Sequence, residues 1–345
     1  GKEAEIPVQN ARTKFLGPSA HAAIDSLAVK LWMIENAEHT IDFTYYIFKT
    51  DMVGYALVGA LCNAVKRGVD IRVTVDSLGS FSGSHSTLKA LETCAGQAGF
   101  MRNSEGQLTT RKARIQVVVF NAISRIGKPN RRSHDKLLVM DGSFEGKSAV
   151  ITGGRNISED YYGIRGDGSV DPDPFRDAEI LIRSAEGAVE EDITVGELSE
   201  KYASILFLLD FNKNISPGRG STGLYEKELM RAQYYLRQLK SYDYFRPHMA
   251  EMDEYMNSGF HHSRVRLGHE LGNLTDKRVV TEAESNQERN PNSIMEVLAQ
   301  IGEEAPDLKA VRIVSPYLFL ARYKTRDGEL IRDEAEEFRE WLDEH

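Results

Sequence analysis

Two short apolar runs rich in strand formers, Lys136–Met140 and Ala149–Ile151, flank the connection Gly142-Ser143-Phe144-Glu145-Gly146-Lys147-Ser148. Turn residues at both ends of that connection predict a β-hairpin. This feature constrains the fold most, because it fixes the directions of several polar side chains at once. Residues two apart on a strand share a face, so His134 and Lys136 project together. With Asp141 opposite Ala149, Lys136 faces Gly154 and His134 faces Asn156. An imidazole, an ammonium and an amide then converge, and Gly153 and Gly154 leave backbone room for a ligand. Asp141 falls on the other parity, so it is expected to brace the turn or a neighbouring element.

The pattern, H-x-K-x-x-x-x-D followed by G-G-x-N, suits a phosphate ester. Lys136 offers a positive charge and three donors, and Asn156 an amide donor. Arg131, Arg132 and Arg155 add positive charge nearby. A neutral His134 serves as nucleophile or general base. The chemistry calls for no Ser or Cys nucleophile, no metal and no cofactor. Strand context on both sides of three residues at set spacing argues against coincidence.

His134-Asp135-Lys136-Leu137-Leu138-Val139-Met140-Asp141-Gly142 followed by Ile151-Thr152-Gly153-Gly154-Arg155-Asn156-Ile157-Ser158 resembles the signature of the phospholipase D superfamily, closest to its bacterial phospholipase D and cardiolipin synthase-like branch. Thr40–Phe48 and Lys66–Val73 resemble that branch too, and the likeness runs from about Ala20 to about Ile182. The resemblance implies an α-β-α sandwich with one active site built from two copies of the motif. One His forms a phosphohistidine and the other protonates the leaving alcohol. It also implies a carboxylate that holds the second nitrogen of the nucleophilic His, for which Asp177 is the candidate and Glu179 the reserve. The resulting site is His134, Lys136, Asp141, Asn156 and Asp177, with Gly154, Arg132 and Tyr46 beside the substrate.

The rest of the chain fits an α/β layer structure. Residues 1–19 read as an irregular lead-in, Ala20–Asn36 as a helix, and Thr40–Phe48 as a strand. Met52–Arg67 reads as a helix stopped by Gly68, and Val69–Val75 as a strand. This strand–helix–strand order predicts a layered sheet. Tyr46 and Asp76 sit at strand ends, where each either lines a pocket or is hydrogen-bonded packing. Leu88–Ala95 is a predicted helix, 96–110 a loop, and Ile115–Phe120 and Phe175–Ile182 strands. Leu198–Asp210 and Leu224–Tyr244 carry helical periodicity. Cys62 shares a helix face with apolar residues and reads as core; two cysteines make no disulfide framework. His261, His262 and His269 read as loop residues without a metal spacing.

Net charge is −9, which gives no global pull toward nucleic acid or anionic membrane. Between Arg111 and Lys136, however, eight Lys or Arg stand against one acid, Asp135, so a local basic belt leads into the motif. There is no run long and apolar enough to cross a bilayer. The chain starts at Gly1, which reads as a processed or trimmed product, and the compartment stays open between soluble, peripheral-membrane, secreted and cell-envelope locations.

Near the end, Pro316-Tyr317-Leu318-Phe319 echoes Tyr45-Tyr46-Ile47-Phe48 at a shift of 271. This reads as the start of a second repeat, whose motif by extension falls near ~405. None of the other eight histidines has Lys two residues later. The expected organisation is a first phospholipase D-like domain over 1–211, a linker and helical insertion over 212–307, and a begun second repeat over 308–345. The expected activity is phospholipase D-type cleavage of phospholipid phosphodiesters, with phosphatidyl transfer, including cardiolipin synthesis, as the alternative acceptor chemistry. The expected partners are phospholipid, a peripheral membrane contact, and a second catalytic half from another chain or protomer. A nuclease is disfavoured by the acidic charge and by the lack of interleaved aromatic and basic residues. A non-catalytic lipid-binding module is the rival from another class.

Overall fold

A computed structural model describes residues 7–77, 80, 84–121, 133–144, 146–185, 193–215, 222–269 and shorter pieces of 271–344. The contacts divide the chain into two units, Val8–Val265 and a second of Gly1–Pro7 with Arg266–His345.

The larger unit is built on one mixed sheet. In chain order its parts are β1 (Pro7–Leu16), α1 (Ala20–Asn36), β2 (Thr40–Tyr45), α2 (Met52–Arg67), β3 (Asp70–Asp76) and α3 (Ser84–Thr93). Then come β4 (Phe100–Arg102), β5 (Leu108–Lys112), β6 (Ile115–Phe120), β7 (Lys136–Met140), β8 (Ala149–Gly153), α4 (Glu159–Tyr162) and β9 (Glu179–Ser184). The unit closes with α5 (Val195–Phe207), β10 (Lys213–Asn214), α6 (Thr222–Ser241), α7 (Arg246–Ala250), α8 (Met252–Asn257) and β11 (His261–Arg266). The sheet order is β10-β6-β3-β2-β7-β8-β9-β1-β11. β2, β3 and β6 run parallel, joined by helices, while β7, β8 and β9 follow as an antiparallel meander. This is a layered α/β fold built on one large mixed sheet.

Local chemistry sets several element ends. Asp51 caps α2 by accepting from Gly54 N, and Gly68 closes it at φ 104°, a left-handed conformation that glycine adopts without a Cβ clash. The inner strands are mostly buried, and β7, at the centre of the sheet, is buried along its whole length.

The structure corrects several expectations. The lead-in contains β1, which pairs with β9. The 96–110 segment contains the β4–β5 hairpin. His261 and His262 lie on β11 rather than in a loop. β9 starts at Glu179, so Asp177 precedes the strand. Cys62 is buried but paired, in a disulfide with Cys94 at a Cα–Cα distance of 5.6 Å. The helix expected beyond a 212–221 linker, α6, packs on α2 within the same unit. Residues 308–321, which carry the echo of the first strand, lie outside the described residues; after them come a two-stranded ladder of β12 (Arg322–Lys324) and β13 (Leu330–Asp333) and the helix Glu334–Glu344. Among the described residues no helix is long and apolar enough to cross a membrane.

A charged cluster is sealed inside this unit. Lys30 Nζ lies 2.5 Å from Glu179 Oε1 and donates to Ser26 Oγ at 2.6 Å; Ser26 Oγ in turn donates to Glu179 Oε2. Arg155 Nη1 reaches Glu179 Oε2 at 3.3 Å, and its Nη2 donates to Gly17 O at 2.7 Å. The two cations and the carboxylate are at most 2% exposed. Removing one partner leaves uncompensated charge in the interior, so Glu179→Gln is expected to destabilise the protein by about 3–5 kcal/mol in denaturant unfolding. A loss below about 1 kcal/mol would show that the cluster is hydrated and not sealed.

Candidate active site

The topology brings the carboxyl ends of β2, β3 and β8 beside the amino ends of β7 and β9. At that edge Tyr46 N donates to Asp135 O at 3.0 Å, just before β7 begins. Lys136, 5% exposed, points its Nζ at His134, 3.0 Å from Nδ1 and 2.6 Å from the carbonyl oxygen. The Tyr46 ring lies against the exposed His134 ring with centroids 4.5 Å apart, and Lys136 Nζ is 5.4 Å from the Tyr46 centroid. An ammonium beside Nδ1 acts only as donor. The neutral imidazole therefore carries its proton on Nε2 in this arrangement.

Charge and burial tune the pair. Burial, aided by the Lys136 charge, pushes His134 below the ordinary imidazole value of 6.5 and keeps it neutral near pH 7. Burial pulls Lys136 down to about 8, although Asp135 and Asp177 oppose that drop. Asp135 is itself held by Ser133 Oγ at 2.5 Å and by Tyr202 OH at 3.0 Å. Ser133 N donates to Asp76 Oδ2 at 3.3 Å, so Asp76 positions the chain ahead of the motif.

The hairpin register differs from the expected one by a residue: Met140, not Asp141, pairs with Ala149, and Leu137 pairs with Thr152. Asn156 therefore does not meet His134 across the ladder as an open donor. It is 2% exposed, its Oδ1 accepts from Ile47 N at 2.8 Å, and its Nδ2 donates to Tyr161 OH at 2.9 Å. It fixes the backbone one residue past Tyr46. Asp141 sits at the far end of β7, five strand residues or about 17 Å from the His134 end. Its carboxylate accepts from Glu38 N at 2.9 Å, His39 N at 2.7 Å and Thr40 N at 2.8 Å. It clamps the start of β2.

The glycines hold protein, not open space. A Cβ on Gly154 would lie 1.9 Å from Asp177 Oδ1, so the carboxylate packs directly on that backbone. Asp177 is partly buried, and burial raises its pKa while Arg155 and Lys136 lower it. It does not hold the second nitrogen of His134, because Lys136 Nζ faces Nδ1. Glu179, the reserve carboxylate, and Arg155, expected to add charge to the site, are both spent in the buried cluster. Arg131 and Arg132 lie outside the described residues. Sequence reasoning missed Asp135, Tyr161 and Tyr202. The first two stand within five residues of the motif but carry no pattern of their own, and Tyr202 arrives on α5 from 67 residues away.

Residues 31–166 match the family described as "Cardiolipin synthase, PLD-like domain". The chain is 31% identical over 182 residues to cardiolipin synthase C of Escherichia coli strain K12, covering 50% of this chain and 32% of that protein. It is 34% identical over 131 residues to a cardiolipin synthase of Oceanobacillus iheyensis, covering 38% of this chain and 23% of that one. The matches thus span about a third or less of these relatives. The solved phosphatidylserine synthase of Haemophilus influenzae covers 74% of this chain and 47% of its own, at 15% identity and a TM-score of 0.38.

An anion bound at this edge would depend on the Lys136 charge, which is present below about pH 8 and lost above it. Affinity for a simple dialkyl phosphate, whose charge is constant in this range, is expected to fall by up to about tenfold per pH unit above 8 in calorimetric titration. Lys136→Met should bind weakly and flatten the profile. An unchanged profile in Lys136→Met would place the anion elsewhere.

Proposed function

We propose that this chain is a member of the cardiolipin synthase-like branch of the phospholipase D superfamily and supplies one half of a site that transfers a phosphatidyl group between alcohols. The observation that carries the reading is the His134–Lys136 pair at 3.0 Å, set beside Tyr46 at the open ends of the central strands. A buried ammonium next to a neutral exposed imidazole is the arrangement that a phosphodiester requires.

A bound diester offers non-bridging oxygens that draw the Lys136 ammonium away from Nδ1. The imidazole proton then moves to Nδ1, in the field of Asp135, and Nε2 attacks phosphorus. The bond from phosphorus to the leaving alcohol breaks, and that alcohol takes a proton from a second histidine. The acceptor alcohol gives its proton back to that histidine as it attacks the phosphohistidine, releasing His134. Lys136 stabilises the charge that grows on the equatorial oxygens in both steps. One H-x-K-x-x-x-x-D motif occurs in these 345 residues, so the second histidine is contributed from outside them. Asp141 and Asn156 act on the geometry: one anchors β7 to β2, the other holds the segment behind Tyr46.

Transfer to a lipid alcohol is preferred over the hydrolysis expected from the motif, because the similar curated proteins are cardiolipin synthases. The test incubates the intact native assembly with vesicles containing headgroup-labelled and acyl-labelled phosphatidylglycerol. A diphosphatidyl product with release of glycerol supports transfer. Phosphatidic acid as the sole product would replace the lipid alcohol by water and overturn the transfer reading. His134→Ala is expected to cost on the order of 10³-fold or more in turnover. Near-native turnover in that variant would sink the nucleophile assignment. Gly154→Ala forces the Asp177 carboxylate off its seat and is expected to cost about 10²-fold in kcat with the fold retained.

A further inference from the structure

Three ligand-type side chains that the proposed reaction does not use meet where α7 packs on α1. His21 and Asp25 stand four apart on α1 and so share a face of the helix. His248 comes from α7. His248 Nδ1 is 2.6 Å from Asp25 Oδ1, and His21 Nε2 is 3.5 Å from Asp25 Oδ2. The two imidazole centroids are 4.7 Å apart. One ligand atom from each residue lies within 4.8 Å of the other two, and among the described residues no other such group of three is found.

We infer that His21, Asp25 and His248 form a binding site for a divalent late transition-metal ion, Zn²⁺ in the first instance. Two imidazoles and a carboxylate suit zinc and its neighbours, not magnesium or calcium, which take oxygen donors. Donor atoms around a tetrahedral zinc lie about 3.4 Å apart, given metal–ligand distances near 2.0–2.2 Å. The Asp25–His21 spacing already meets that value. The His248–Asp25 contact opens from 2.6 Å toward that value as the ion enters, and the His21 ring, whose side chain is 77% exposed, turns to bring its nitrogen within reach. Asp25 and His248 are 14% and 12% exposed, so two of the three ligands are already set by packing. The metal takes the place of the hydrogen bond between His248 and Asp25. Lys14, whose ammonium lies in the field of Asp25, gives way to a stronger positive charge. A fourth position faces solvent through His21 and is filled by water. The ion then clips the short helix α7 onto α1.

The site is tested on the whole chain with the metals alone. Co²⁺ is expected to produce visible ligand-field absorption that Zn²⁺ abolishes at one equivalent. Zn²⁺ is expected to raise the Tm by several degrees, while Mg²⁺ leaves it unchanged. His21→Gln, at an exposed position that does not threaten folding, and Asp25→Asn should each weaken Zn²⁺ binding on the order of 100-fold. Replacing His261 and His262, a second histidine pair on β11, should leave binding unaltered. The inference is overturned if Co²⁺ shows no such absorption, or if the His261 and His262 replacement removes it while His21→Gln does not.

Discussion

The buried carboxylate of Glu179 is the contact on which the rest of this architecture depends. It sits at the first position of β9, paired across the ladder with Gly153, and gathers Lys30 from α1 and Arg155 from the chain just past β8. Three segments distant in sequence are thereby held at one point in the interior. A lone charge there is strongly unfavourable, so the three are stable only together. The consequence reaches the surface. Arg155 is locked between Gly154 and Asn156, and Gly154 is the residue on which Asp177 rests. The floor of the candidate site is thus set by an ion cluster that never touches a substrate.

The site itself separates into charge and scaffold. We read His134 and Lys136 as the reactive pair; burial lowers both pKa values, and the Lys136 charge adds to the fall in His134, so near pH 7 one is neutral and the other cationic. Asp135 and Asp177 limit the fall in the lysine. Around them, Asn156, Asp76 and Asp141 hold backbone: the segment after β2, the segment before β7, and the joint between the two strands at their far end. The third residue of the motif is therefore mechanical. Without it, the start of β2 loses the acceptor for three backbone N–H groups, and an orphaned buried donor costs about 1–3 kcal/mol.

The acidic net charge and the local character of the site are compatible. A field of −9 spread over the surface neither steers nor excludes a zwitterionic or anionic lipid when the recognition is by one buried ammonium at short range. The same economy applies to the histidines. One is set against an ammonium, where we propose covalent chemistry, and two others are set against an aspartate on α1, where the geometry suits a metal ion.

Signals local in the chain mark the main elements and the His134–Lys136 pair. Periodicity and a terminating glycine marked α1 and α2, and the spacing of two along a strand put His134 beside Lys136, since both signals are local in the chain. Resemblance of the motif marked the fold class. Everything that depends on which distant groups meet was set by the packing of the fold. A one-residue change of register moved Asn156 from a facing position to a supporting one, and no local pattern fixes register to a single residue across a seven-residue connection. The burial of Glu179 and Arg155, the seat of Asp177 on Gly154, the pairing of Cys62 with Cys94, and the meeting of His248 with Asp25 across 223 residues are all long-range choices. Burial and partner together set whether such a group is reactive, structural or a ligand, and neither can be read from spacing along the chain.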